Sequence, residues 1–240
     1  MMILYKISTI LIAAFALPLF IIIGILYIIT LSVLPHKKFI ITNWTAKIIL
    51  LLLGVRLVVN KSFPNDRPYF VMYNHTSFID AFIFFSFAKG KFTGIAAQKN
   101  FNIPLFGWMA KKLNAIPIEK GNIASSLGSL KHAEDRLLEG YHICILPEGT
   151  RSLDGKLQPF KKGGFHMAIN TNAPILPIGV IGGFQFKPRN RWYFIPGKVV
   201  VNIGDPIDTA GYNVEKIDDL VQITYKTIDA LAKEGSKNVH

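Results

Sequence analysis

The longest uninterrupted pattern in the chain is an apolar stretch near the amino terminus. Residues 7–36 contain no Asp, Glu, Lys or Arg, and residues 10–29 are apolar except at Pro18 and Gly24. A helix of about 20 such residues crosses the hydrocarbon core of a bilayer, so the pattern predicts a membrane-embedded helix. Two alternatives stay open: a signal peptide cleaved after Ala16, and a helix hairpin that bends at Pro18 within one leaflet.

A second helical pattern covers residues 39–59, but it carries Lys47 and Arg56. This combination predicts a helix that lies in the membrane interface. Only Lys6 precedes the apolar stretch, whereas several basic residues follow it closely. By the positive-inside rule, the rest of the chain is expected on the cytoplasmic side. The predicted location is a membrane, and we expect it to be the bacterial inner membrane.

After Pro64 the pattern changes to short apolar runs separated by turn residues. Runs typical of buried strands are 69–73, 92–97, 115–118, 142–146 and 174–181. Periodic segments typical of helices are 77–88, where Ser77 is the predicted N-cap, then 125–139, 163–170 and a long segment after 213. Residues 191–195 and 198–203 resemble a hairpin joined at Pro196-Gly197.

Alternation of strands and helices predicts an α/β fold. We expect a mostly parallel or mixed central sheet flanked by helices and preceded by N-terminal membrane-embedded helices. The predicted division is an anchoring segment at 1–60 and a catalytic domain at 61–240.

Composition and charge restrict the partners. Hydrophobic residues make up 50% of the chain and charged residues only 18%, which excludes a disordered protein. Lys and Arg number 27 against 15 Asp and Glu, so an anionic partner is expected. Because the basic residues accompany an apolar segment and no nucleic-acid motif is present, we predict anionic membrane lipids rather than nucleic acid. Cys144 is the only cysteine, which excludes a disulfide framework, and no metal site is predicted.

The first candidate for chemistry is His75, which follows a predicted strand and precedes Asp80 by five residues. A neutral imidazole is a good general base near pH 7, and a carboxylate that holds its other nitrogen fixes the tautomer. The spacing of Ser77 and Asp80 also resembles a capping box, in which Asp80 would only bond the Ser77 N–H. The two roles are compatible, because a carboxylate has two oxygens.

The second candidate is the loop Pro147-Glu148-Gly149-Thr150-Arg151-Ser152, which again follows a predicted strand. Gly149 permits a close approach of ligand to backbone, and Arg151 offers a planar fork suited to phosphate. The alternative is a surface turn with a solvated Glu148–Arg151 pair.

Together these blocks resemble the 1-acylglycerol-3-phosphate acyltransferase family of membrane enzymes. His75 and Asp80 match its His-x4-Asp block, the loop 147–152 matches its Pro-Glu-Gly-Thr-Arg-Ser block, and residues 173–178 are similar to its Pro-rich block. The resemblance extends from about residue 60 to 207. One block departs from the family pattern, because Lys120 stands where the family usually has an arginine taken to hold substrate phosphate.

The resemblance implies acyl transfer from acyl-CoA or acyl-carrier protein to the sn-2 hydroxyl of lysophosphatidic acid, which yields phosphatidic acid. In this scheme His75 is the general base and Asp80 orients it. Lys120 and Arg151 hold the acceptor phosphate, Glu148 orders the pocket, and the backbone at Gly149 and Thr150 stabilises the oxyanion. No cofactor is expected beyond the acyl donor.

Two other hypotheses stay open. The first, kept open by Lys120, is the same acyl transfer to another lysolipid or to glycerol 3-phosphate. The second, favoured by charge alone, is a non-catalytic protein that binds a membrane surface or nucleic acid.

Overall fold

The computed structural model describes residues 2–103, 106–119 and 123–235. The chain starts with two helices, α1 (Met2–Val33) and α2 (Lys38–Leu52), separated by a short 3-10 turn at Pro35–Lys37. Within the described part, no helix alone is long and apolar enough to span a membrane. Pro18–Val33 and Pro35–Leu52 reach that length only as a pair bent by 116°, so the predicted spanning helix is not confirmed.

The predicted helix at 39–59 is wrong in its last part. Helix α2 ends before Gly54, whose φ of +72° suits the left-handed conformation that terminates helices. The next residues form strand β1 (Val55–Val59), which pairs in parallel with a strand near the other end of the chain. The apolar residues after Gly54 therefore belong to the sheet.

The rest of the chain alternates strands and helices, and the α/β prediction is confirmed. The further strands are β2 (Phe70–Tyr73), β3 (Lys91–Ala97), β4 (Ile116–Ile118), β5 (Tyr141–Ile145), β6 (Ile175–Ile181) and β7 (Gly197–Ile203). The further helices are α3 (Asp80–Phe87), α4 (Phe106–Lys112), α5 (Ile123–Leu138), α6 (Gly163–Thr171), α7 (Gly183–Phe186) and α8 (Ile217–Lys233).

The seven strands form one mixed sheet in the order β1-β7-β6-β2-β5-β3-β4. All neighbouring pairs are parallel except β6 and β7, which are antiparallel. Each face of the sheet has its own apolar core. One core joins α2 and α3 to the sheet through Leu50 and Phe84, and the other joins α6 and α8 through Phe165 and Leu220.

The predicted hairpin at 191–195 and 198–203 is wrong, because only its second arm is a strand. Residues 191–195 instead fold back on α7, where the Ile195 N–H donates to the Phe186 carbonyl at 2.9 Å. The Arg191 guanidinium stabilises this path by donating to the carbonyl groups of Phe186 (2.7 Å) and Tyr193 (3.0 Å). Strand β7 takes its partners, β1 and β6, from distant parts of the chain.

Polar contacts fix the N-terminal helices to the α/β domain. The hydroxyl groups of Tyr27 on α1 and Thr42 on α2 lie 2.8 Å apart in a buried position. Asn43 on α2 donates to the Ala88 carbonyl at the end of α3 at 3.0 Å. The Thr9 hydroxyl on α1 accepts from the Phe194 N–H at 3.1 Å. The two helices therefore contact each other, the end of α3 and the segment that follows α7.

Candidate active site

The candidate site lies at one edge of the sheet, where three neighbouring strands end. Strand β2 lies between β6 and β5 and runs parallel to both. The chain leaves these strands at Asn74-His75, at Leu146-Pro147-Glu148 and at Gly182-Gly183. Ligands of open α/β sheets bind beyond the carboxyl ends of the strands, so this edge is the expected place for a site.

His75 and Asp80 form the central contact of this edge. The His75 Nδ1 lies 2.7 Å from the Asp80 Oδ2. The same oxygen accepts the backbone N–H groups of Thr76 (2.8 Å) and Ser77 (3.0 Å). Because Oδ2 acts as an acceptor, Nδ1 carries the hydrogen, and in the neutral ring Nε2 keeps its lone pair. The Asp80 side chain is 1% exposed and the His75 side chain 21%, so the imidazole alone reaches the solvent.

This geometry resolves the two interpretations of Asp80. Its carboxylate bonds the Ser77 N–H, as a capping box would, and it holds the His75 ring at the same time. The predicted helix start is wrong, since α3 begins at Asp80 and not after Ser77. The turn of residues 76–79 is closed by the Asp80 side chain, which brings the carboxylate back to His75.

Glu148 is buried behind the histidine loop. Its Oε1 accepts the His75 backbone N–H at 2.5 Å, and its Oε2 accepts the Gln158 N–H at 2.8 Å. Burial raises the pKa of the Glu148 carboxyl to about 7, although the two backbone N–H groups act in the opposite direction. The side chain is 2% exposed. Glu148 therefore fixes the His75 loop to the segment after β5.

The loop after Glu148 curves around the histidine. Gly149 has a φ of +67°, and a Cβ built there would lie 3.1 Å from the Lys161 Cδ. The Ser152 N–H donates to the His75 carbonyl at 2.8 Å. Arg151, just before Ser152, is half-buried, and Thr150 is exposed. The loop thus places one arginine and one glycine backbone close to His75.

Six of the seven predicted site residues are therefore brought to one edge of the sheet: His75, Asp80, Glu148, Gly149, Thr150 and Arg151. Lys120 lies outside the described residues, so its place relative to this edge stays a prediction. Within residues 2–103, 106–119 and 123–235, no group of three or more His, Cys, Asp or Glu side chains is arranged to hold a metal ion.

Sequence reasoning missed two residues that support the histidine loop. The Asn74 side chain accepts the Val180 N–H at 2.7 Å and donates to the Val180 carbonyl at 2.8 Å, which fixes the end of β2 to β6. Gly183 begins α7 against the loop, and a Cβ there would lie 2.5 Å from the Thr76 Oγ1. The doublet Gly182-Gly183 directly after a predicted strand was a signal of such a close approach.

A comparison with known protein families identifies the family of the chain. The family model described as Acyltransferase matches residues 55–181, which is more than half of the chain. The matched range starts at β1, ends at β6 and contains His75, Asp80 and the loop 147–152. The chain therefore belongs to this acyltransferase family.

Individual relatives have more specific names. The chain is similar to "1-acyl-sn-glycerol-3-phosphate acyltransferase" of Limnanthes alba, with 31% identity over 74% of the chain and 64% of the relative. It is also similar to the protein of that name from Pseudomonas aeruginosa, with 29% identity over 79% and 76%. The chain thus spans less than two thirds of the plant protein.

Among solved structures, the chain is similar to the crystal structure of the 1-acyl-sn-glycerophosphate (LPA) acyltransferase PlsC from Thermotoga maritima. The TM-score is 0.82 and the sequence identity 26%, over 96% of this chain and 97% of that one. The mixed sheet and its flanking helices are therefore shared over nearly the whole length.

Proposed function

We propose that this protein transfers a fatty acyl group from a thioester donor, acyl-CoA or acyl-carrier protein, to the sn-2 hydroxyl of lysophosphatidic acid. The observation that carries the proposal is the contact between His75 and the buried Asp80, which leaves the His75 Nε2 as the exposed base. The names of the relatives support this choice of acceptor.

The reaction is a direct transfer. His75 Nε2 accepts the proton of the acceptor hydroxyl while the hydroxyl oxygen attacks the thioester carbonyl carbon. The C–S bond then breaks, and the imidazolium gives the proton to the departing thiolate. Asp80 stabilises the positive charge that His75 carries between these steps. The new ester and the free thiol account for all atoms, without a covalent acyl-enzyme.

The loop after β5 has two proposed tasks. Arg151 holds the acceptor phosphate, together with Lys120, through charge-assisted hydrogen bonds. The backbone at Gly149 and Thr150 stabilises the oxyanion that forms on the thioester carbonyl. Glu148 acts indirectly, since both of its carboxyl oxygens bind backbone N–H groups. It positions the histidine loop and does not contact substrate.

The proposed place of action is the membrane interface. Lysophosphatidic acid resides there, and both donors arrive from the cytosolic side. Helices α1 and α2 expose many large apolar side chains, among them Ile25, Ile29, Ile40 and Trp44. Burial of such surface in a bilayer is favourable, so we assign membrane attachment to these helices.

The decisive test is His75→Ala, with His132→Ala as the matched control. His132 is exposed on α5, so its loss should leave transfer unchanged. Loss of a general base should lower kcat about 10²–10⁴-fold, measured as formation of labelled phosphatidic acid in washed membranes. Activity within a fewfold of wild type in His75→Ala would refute the mechanism.

A panel of acceptors tests the choice of substrate. Lysophosphatidic acid should be the best acceptor, ahead of lysolipids with larger headgroups and of glycerol 3-phosphate. A higher kcat/KM for one of these other acceptors would favour the alternative that Lys120 keeps open.

A further inference from the structure

A cationic segment that follows α7 forms a third side of the candidate site. We call residues 187–191 the cationic arm, because they contain Lys187, Arg189 and Arg191. The buried Ser77 hydroxyl donates to the Lys187 carbonyl at 3.0 Å. In the middle of the arm, Arg189 Nη1 lies 3.4 Å from the Thr150 Oγ1. The arm thus touches both loops that carry the proposed catalytic and binding residues.

The three cations of the arm differ in their contacts and exposure. Arg191 is engaged by backbone carbonyl groups, and its guanidinium lies 4.9 Å from the centre of the Tyr193 ring. It therefore shapes the arm. The Lys187 Nζ donates to the Arg191 carbonyl at 2.5 Å, which fixes the amine in a half-buried position. Arg189 is exposed at the rim.

The charge around this arm is one-sided. The chain has no acidic residue between Asp154 and Asp205. In the part of the chain that the structure describes, none of the four cations at this edge forms an ion pair with a carboxylate: Arg151, Lys161, Lys187 and Arg189. Desolvation lowers the pKa of the Lys187 amine, and the charges of Arg151 and Arg191 add to the effect. Such clustering of like charge is offset when an anion binds.

We propose that Lys187 and Arg189 bind the phosphomonoester of the acceptor lysophospholipid, opposite Arg151. This inference rests on the proposed function. A phosphomonoester is nearly a dianion at pH 7 with three acceptor oxygens, and an arginine fork combined with a lysine point charge suits it. The acceptor is favoured over the donor for a geometric reason. In lysophosphatidic acid only two carbon atoms and an ester oxygen separate the free hydroxyl from phosphorus, so its phosphate must bind close to His75.

The acyl donor does not meet this condition. The phosphate groups of coenzyme A lie at the far end of the pantetheine arm from the thioester. A phosphate site that is fixed to Ser77, two residues from the general base, is therefore too close to the reacting carbonyl for them.

The test compares Lys187→Met and Arg189→Gln with wild type in neutral detergent micelles, where adsorption to anionic lipid does not contribute. Each change should raise KM for lysophosphatidic acid about tenfold. The kcat of the reaction and the KM for acyl-CoA should stay within twofold of the wild-type values. Lys187→Arg should restore most of the affinity. Lys226→Met, on an exposed position of α8, is the matched control and should change none of these constants. Arg189→Gln keeps the test valid if Lys187→Met does not fold.

Measurement of lipid binding to variants that also carry His75→Ala separates affinity from turnover. In that background, Lys187→Met should lower the affinity for lysophosphatidic acid about tenfold. The affinity for monoacylglycerol, which has no phosphate, should stay unchanged. A rise in KM for acyl-CoA alone, or equal weakening of both lipids, would overturn the inference. Wild-type protein without any transfer activity would refute the proposed function itself, whereas an active wild type with unchanged variants would refute only the role of the cationic arm.

Discussion

At the scale of single residues, Asp80 combines two tasks in one carboxylate oxygen. That oxygen closes the turn of residues 76–79 through two backbone N–H groups and holds the His75 ring. The asparagine side chain has the same size, but it bears no negative charge. The two tasks therefore separate in Asp80→Asn.

Asp80→Asn should lower kcat about 10²–10⁴-fold, because a neutral amide cannot stabilise the imidazolium that forms on His75. The thermal midpoint should change little, since an amide oxygen still accepts backbone N–H groups. Transfer kinetics and thermal unfolding in the same detergent check both parts. Asp219→Asn, an exposed position on α8, is the control. A loss of stability with intact kcat would reduce Asp80 to a cap.

Glu148 gives a prediction about pH. Its pKa is raised from 4.5 to about 7 by burial, so between these values the folded protein holds a proton that the unfolded chain releases. Stability contributed by this group is therefore lost as pH rises. Between pH 5 and pH 8 the free energy of unfolding of wild type should fall relative to Glu148→Gln, by about 1–3 kcal/mol.

Thermal or denaturant unfolding of both proteins at pH 5 and pH 8 measures this difference. A wild-type advantage that grows with pH would mean that the fold favours the ionised carboxylate.

The sequence was sufficient to predict that His75, Asp80 and the loop 147–152 meet at this edge, but not the other residues there or every contact they make. His75 and Arg151 each follow a strand, and carboxyl ends of parallel strands share an edge. The burial of Glu148 was not predictable, because its two partners are backbone N–H groups of residues 75 and 158, far apart in the chain. From the sequence, a solvated Glu148–Arg151 pair was the alternative interpretation of this loop.

At the scale of elements, the turn into α7 packs against the loop that holds His75 and Asp80. Gly183 lies against Thr76, and its missing side chain leaves room for the Asp80 carboxylate, whose Oδ1 is 3.5 Å from the position of a Cβ. An alanine there must displace the Thr76 hydroxyl, which would lie only 2.5 Å away.

Gly183→Ala should therefore lower kcat about tenfold or more, because a misplacement of even a fraction of an ångström at a general base is costly. KM should change less. The double variant Gly183→Ala/Thr76→Ala removes the collision and should recover most of kcat. Gly128→Ala on α5, where a Cβ meets nothing within 4 Å, is the control. Failure of the double variant to recover would show that Gly183 acts otherwise than through Thr76.

Element prediction succeeded where turn residues bound an apolar run or a periodic segment, and it failed for β1 and for residues 191–195. The apolar periodicity of α8 predicts its buried positions, among them Ile217, Leu220 and Ile228. Strand β1 was missed because its apolar residues continue the pattern of α2, and only Gly54 marks the break. Residues 191–195 look like a strand by composition, but Arg191 has its best acceptors in the carbonyl groups of the α7 turn.

At the scale of the whole molecule, burial of the apolar N-terminal helices and attraction of basic residues to anionic lipid should contribute separately to membrane attachment. Deletion of residues 1–35 removes α1 and most of the exposed apolar surface but keeps α2, which is fixed to α3 through Asn43. The deletion variant should change from an integral to a peripheral protein.

Extraction of membranes checks this prediction. The deletion variant should be released by alkaline carbonate, and also by about 1 M salt, where the Debye length is only about 3 Å. The full chain should resist both. Resistance of the deletion variant to carbonate would show that residues 1–35 are not the main anchor.

The pairing of β1 with β7 has a consequence for synthesis. Val55–Val59 cannot find its partner, Gly197–Val201, until the ribosome has added some 140 further residues, a delay on the order of ten seconds at usual translation rates. Helices α1 and α2 leave the ribosome first and can attach to a bilayer during that delay. This order of synthesis allows attachment before folding, so that, under the proposed membrane attachment, the candidate site is completed on a chain that the bilayer already holds.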